Sequence, residues 1–189
     1  LIQDIFIRNK KLNFHLDIVG LPSNHFYKKS INQLTNILGE KSTYHGWVIP
    51  NSKKHLNLLK MNDYFIFPSI EEGQVGSVVD AISYGLVPIL SKNTGINYSP
   101  LGYLELHKDS LNNDKIFRQA INITADDYKH YSIKTKIYYD NNHHIWLNNI
   151  QETLENFVRF KTIHPKFNVI ISVFNKEKTI TPLLRLLNY

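Results

Sequence analysis

The chain has 189 residues, 42% hydrophobic and 12% aromatic, which is enough apolar surface for a packed core and too much for a disordered chain. Its formal net charge is +6, yet the basic residues are scattered in short pairs such as Lys28-Lys29 and Lys53-Lys54. No basic stripe interleaved with base-stacking aromatics is present, so no nucleic-acid partner is expected. Zero cysteines exclude disulfides and thiolate metal sites and suit a reducing compartment, and no apolar run is long enough to cross a membrane.

The opening, LIQDIFIRNK, carries neither an initiator methionine nor a leader, and is expected to lie inside a longer protein. FHLDIVG (14–20) predicts a strand ending in glycine, and SINQLTNILGE (30–40) a helix with apolar residues at 31, 34, 37 and 38, stopped by Gly39. TYHGWVI (43–49) predicts the next strand, ended by Pro50, and SKKHLNLLKMN (52–62) a helix opened by a capping serine. DYFIFPS (63–69) is apolar enough for a fully buried parallel strand. After a loop come a helix from about Ser77 to Tyr84, a terminating Gly85 and a strand, LVPILS (86–91). Strand and helix alternate at short spacing to about residue 92, which predicts an α/β domain on a largely parallel, doubly wound sheet. Such sheets bind ligands beyond the carboxyl ends of their strands, the edge onto which the loop after Ser69 opens. From about residue 110 the chain turns helical, through SLNNDKIFRQAINIT and HHIWLNNIQETLENFVRF.

That loop, EEGQVGS (71–77), has the makings of an anion site. A helix start presents unpaired backbone N–H groups and a positive dipole end. Gly73 and Gly76 permit close backbone approach, and Ser77 stands at or near the cap. Glu72 on the loop and Asp80 one turn into the helix place two acceptors on either side of the phosphate position, the layout a nucleotide sugar needs. Solvated loop charges, with Asp80 merely favouring the helix dipole, explain the same residues without a ligand.

The stretch NDYFIFPSIEEGQVGSVVDAISYGLVPILSKNTGI resembles the signature region of family 4 retaining glycosyltransferases of the GT-B fold. The shared features are Pro68-Ser69, Glu72-Gly73, Asp80-Ala81 eight residues on, and Gly85-x-x-Pro88; LDIVG, YHGWV and LLKMNDYF follow in that family's order. The resemblance covers residues 1–160 and implies a Rossmann-like, donor-binding C-terminal domain. It implies that Glu72, the catalytic position, meets the transferred sugar, and that Gly73, Gln74, Val75, Gly76 and Ser77 hold sugar and diphosphate through their amides. Asp80 would grip the ribose, and Val48, Ile49 and Pro50 would line the base pocket. The donor would be a nucleotide-diphosphate sugar, used without a metal, and the acceptor a glycan or lipid-linked sugar bound by a missing N-terminal domain. Peripheral association with the inner face of the membrane would suit that role. The pattern departs from the family at Asp80, where Glu is usual, and at Gln74-Val75-Gly76-Ser77, where a Gly-Leu-Pro type turn is common. The basic residues that the family sets on the pyrophosphate would precede Leu1, so the fragment alone is expected to be inactive.

A break is expected at KTIHPKF (161–167), which makes 161–189 a linker plus the start of a second module. There FNVIISVFNKEKTITPLLRLLN resembles the first strand and helix of family 2 GT-A glycosyltransferases, with Ser172 where proline is usual and Asn175 in place. Nothing in the nine histidines has metal-chelating spacing; His143 and His144 are adjacent and diverge on a helix. His45 reads as a packing or hydrogen-bonding residue rather than a base, Lys92 as a ligand contact only by position, and Trp47 and Trp146 as core or interface. A nucleotide-sugar epimerase and a catalytically degenerate module for binding or assembly are the rival readings.

Overall fold

A computed structural model describes residues 2–22, 24–69, 76–106 and 111–163. The chain divides into two units, residues 1–139 and 140–189. In the second, the described residues 140–163 continue the last helix; the strand and helix expected after residue 167 lie outside the described residues.

The helices of the first unit carry starts and stops that their sequences dictate. After α1 (Ile2–Arg8) and β1 (Leu16–Val19), α2 (His25–Leu38) is capped by Asn24, whose side chain accepts from the Tyr27 amide at 3.1 Å. It begins five residues before the predicted start at Ser30. Phe26 is 71% exposed and Tyr27 also lies on the solvent side, so the apolar period starts only after the first turn. A 3-10 turn, Gly39–Lys41, leads into β2 (Ser42–Gly46). This strand ends three residues short of the predicted Ile49, because Gly46 takes a φ of 64° and turns the chain out of the extended region. The Ser52 hydroxyl caps α3 (Lys53–Met61) by accepting from the His55 amide at 3.2 Å, as its sequence predicts. β3 (Tyr64–Phe67), α4 (Gly76–Ser83) and β4 (Val87–Leu90) follow in the expected order, and then α5 (Leu111–Asn122). The last helix, α6 (Ala125–Ile163), begins well before the predicted HHIWLNN segment. Thr124 starts it: its hydroxyl accepts from the Asp127 amide at 3.1 Å and donates to the Asp127 carboxylate at 2.7 Å.

The strands are parallel, and their side chains alternate between two helical layers. On one face Leu16, Ile18 and Ile66 pack under Ile5 and Phe6 of α1, Leu34 and Leu38 of α2 and Phe117 of α5. On the same face Val87 and Ile89 meet Ile116 and Ala120 of α5. On the other, Leu90, Phe65 and Phe67 pack under Val78 and Ile82 of α4, and Leu59 of α3 meets Ala81. This is the Rossmann-like α/β architecture that the sequence predicts, with one difference. Among the described residues the strands form two separate ladders, β1 with β2 and β3 with β4, rather than one continuous sheet.

Candidate functional site

The carboxyl ends of the strands carry the turns that shape the site. Tyr44 of β2 donates its hydroxyl to the Gly20 carbonyl at 3.0 Å, and the Gly20 amide donates to the Gly46 carbonyl at 2.8 Å, which ties the ends of β1 and β2 together. The end of β4 is tied to the end of β3 where the Ser91 hydroxyl donates to the Ser69 carbonyl. Parallel connection from β3 through α4 to β4 puts the start of α4 at this same edge.

Among the described residues, a Cβ placed on Gly76 at that helix start, or on Gly20 or Gly46 at the ends of β1 and β2, would meet no heavy atom within 4 Å. Ser77 is exposed and Asp80 half-buried; three residues apart, they share one side of α4, away from the buried stripe of Val78, Ala81 and Ile82. The Asp80 carbonyl accepts from the Ser83 hydroxyl at 2.7 Å. Ser77 is the second residue of the helix, one position past its start at Gly76. Glu72, Gly73, Gln74 and Val75 lie outside the described residues. Of the trio assigned to a base pocket, Ile49 is 66% exposed and Pro50 exposed, whereas Val48, at 6%, is packed inside. Trp47 is 57% exposed, so it is not a core residue; the turn at Gly46 swings it outward. The side chains of Trp146, His143 and His144 lie outside the described residues. Lys92 is exposed just past β4, and Lys54 reaches the His45 carbonyl at 3.5 Å.

A polar cluster that the sequence reading missed joins β1, β2 and α3. His45 Nε2 lies 2.6 Å from Asp17 Oδ1, and the Asn62 amide donates to Asp17 Oδ2 at 3.0 Å. His45 is thus a hydrogen-bonding residue. Burial pushes the Asp17 carboxyl up, but the hydrogen bonds from His45 and Asn62 and the nearby charge of His45 and His15 outweigh it, and its pKa falls below the ordinary value. A depressed carboxyl contributes stability above the unfolded value, about 3.9, and loses it as pH falls through the folded one. Asp17→Asn should therefore cost about 1 kcal/mol at neutral pH, a modest figure because one flank is open to solvent. Urea unfolding at about pH 7 and about pH 3 checks this, since the gap between wild type and variant should close in acid. The one sequence signal was a lone carboxylate inside an apolar strand.

Among the described residues no group of three or more histidines or acids could hold a metal ion, and no helix is long and apolar enough to cross a membrane. The family model described as glycosyl transferases group 1 matches residues 2–104. The chain belongs to this family. The match takes in every element from α1 to β4 and ends at Leu104, which bridges to Ser91 beside β4. Comparison with curated proteins and with solved structures finds no match. Group 1 glycosyltransferases move a sugar from a nucleotide-sugar donor to an acceptor.

Proposed function

We propose that this chain is the donor-binding half of a retaining GT-B glycosyltransferase. In this reading the amides from Gly73 to Ser77 cradle the diphosphate of a nucleotide sugar. Asp80 bonds the ribose, Glu72 meets the transferred hexose, and Ile49 and Pro50 flank the base. One observation carries it: the start of α4 stands at the carboxyl edge of β3 with nothing among the described residues against Gly76, and Ser77 and Asp80 lie side by side. Anions bind such a start through backbone donors and the helix dipole, and charge developing on the departing diphosphate is stabilised the same way. No metal is needed for this role. The acceptor, a glycan or lipid-linked sugar, is met by a second domain of the kind GT-B enzymes carry. Bacterial surface polysaccharide synthesis at the inner face of the membrane fits that acceptor, and a GT-A-like module beginning near Asn168 would fit a two-transferase parent.

Donor binding is therefore what tests the chain. Isothermal calorimetry with UDP, GDP and ADP sugars should show binding to one nucleotide, weakened at least about tenfold, about 1.4 kcal/mol, in Asp80→Ala. Silence with all three would overturn the proposal in favour of a binding or assembly module.

A further inference from the structure

The loop between β2 and α3 is bounded by two residues with left-handed backbone. Gly46 enters it with a φ of 64° and Asn51 leaves it with a φ of 61°, the one positive φ outside glycine among the described residues. Between them the side chains alternate, with Trp47 and Ile49 exposed and Val48 buried. The entry is held by His45, which donates to the Asp17 carboxylate at 2.6 Å. A carboxylate accepts, so that bond survives whether the imidazole carries one proton or two.

The exit is held by different chemistry. Ser52 caps α3 by accepting from the His55 amide, and its own amide turns back onto the Ile49 carbonyl at 3.1 Å. His55 is the third residue of α3, the position from which a capping box reaches back with Glu or Gln. Here an imidazole reaches back instead: the Asn51 amide donates to His55 Nδ1 at 3.1 Å. A backbone N–H can only donate, so Nδ1 is bare and the ring proton sits on Nε2. A second proton would set donor against donor and break the bond. It would also place a cation in the first turn of α3, against the helix dipole and beside Lys53 and Lys54. Around the cavity that His55 borders, the other titratable side chains are His15, Asp17, Asp63, Tyr64 and Tyr128, and Asp17 is already held by His45 and Asn62.

We propose that His55 is a positioning residue. In its neutral form it latches residues 46–52 in the shape in which Ile49 and Pro50 flank the donor's base, and protonation releases them. Glu or Gln at this position would make the capping box permanent; histidine makes it conditional on pH. The contact with the base rests on the donor reading above, whereas the latch rests on the hydrogen bonds alone.

Two variants of the 189-residue chain separate the ring's proton from its bulk. His55→Gln keeps an acceptor that does not titrate, and His55→Ala removes the acceptor. The first readout is amide hydrogen exchange relative to the intrinsic rate, at about pH 8 and about pH 5.5, a range that spans histidine titration. Protection of the Asn51 amide should fall at least about fivefold in acid in the wild type, stay level in His55→Gln and be low throughout in His55→Ala, with β3 unchanged as the internal reference. The second readout is calorimetric affinity for the nucleotide sugar that binds, which should fall at least about threefold in acid in the wild type and stay level in His55→Gln. Level protection of Asn51 in the wild type, or a fall that persists in His55→Gln, would overturn the latch. Affinity that ignores pH while Asn51 opens would overturn the positioning role. Silence with every nucleotide sugar, with exchange as expected, would overturn the donor reading and leave the latch standing.

Discussion

Gly85→Ala should lower the stability of the chain by about 3 kcal/mol, from two sources that can be separated. Gly85 ends α4 with a φ of 80°, and a side chain there costs about 1–2 kcal/mol. The turn is a Schellman motif: the Leu86 amide donates to Ala81 and the Gly85 amide to Ile82, while Leu86 and Ala81 share one apolar cluster. The second source is space, because a Cβ on Gly85 would lie 2.9 Å from Ser132 Oγ, which itself donates to the Gly85 carbonyl at 2.8 Å. Ser132→Ala removes that oxygen. Urea unfolding of the four members of this cycle should show Gly85→Ala costing less in the Ser132→Ala background, by about 1 kcal/mol. Equal costs in both backgrounds would place the whole effect in the backbone.

The reason Gly85 could be read from sequence is the reason most elements could. A stop glycine, a capping serine at 52 and apolar runs at 64–67 and 87–90 are local signals, and each element obeys its own. Helix starts were harder. α2 opens on solvent-facing aromatics and α6 on Thr124 with Asp127, a capping pair that apolar periodicity does not register. Non-local features left no signal of what they join. Asp17, His45 and Asn62 meet only because β1 pairs with β2 and α3 ends beside them. The separation of the ladders likewise depends on which strand lies beside which, and that is fixed by handedness and packing rather than by any segment's own pattern.

Packing under α4 should tie stability to donor binding, which sets apart two substitutions of similar chemistry. Leu90 is fully buried beneath Val78 and Ile82 of α4, beside Ile96, Phe65 and Phe67. Leu90→Ala leaves a cavity there, and such changes cost about 3–5 kcal/mol because the surroundings relax only in part. Ile116, buried against Val87, Ile89 and Ala120 on the opposite face, should cost about as much when cut to alanine. The two differ in what their cavities undermine. The first lies beneath the helix whose start is proposed to hold the diphosphate, and anion binding through backbone donors needs that start fixed within tenths of an ångström. The second lies under α5. At a temperature low enough to keep both variants folded, Leu90→Ala should lose at least about fivefold in nucleotide-sugar affinity, roughly 1 kcal/mol, while Ile116→Ala keeps the wild-type value. Calorimetry on the two, with urea unfolding to match their stabilities, makes the comparison. Equal losses would mean that affinity follows global stability, and retention in both would detach the donor site from α4.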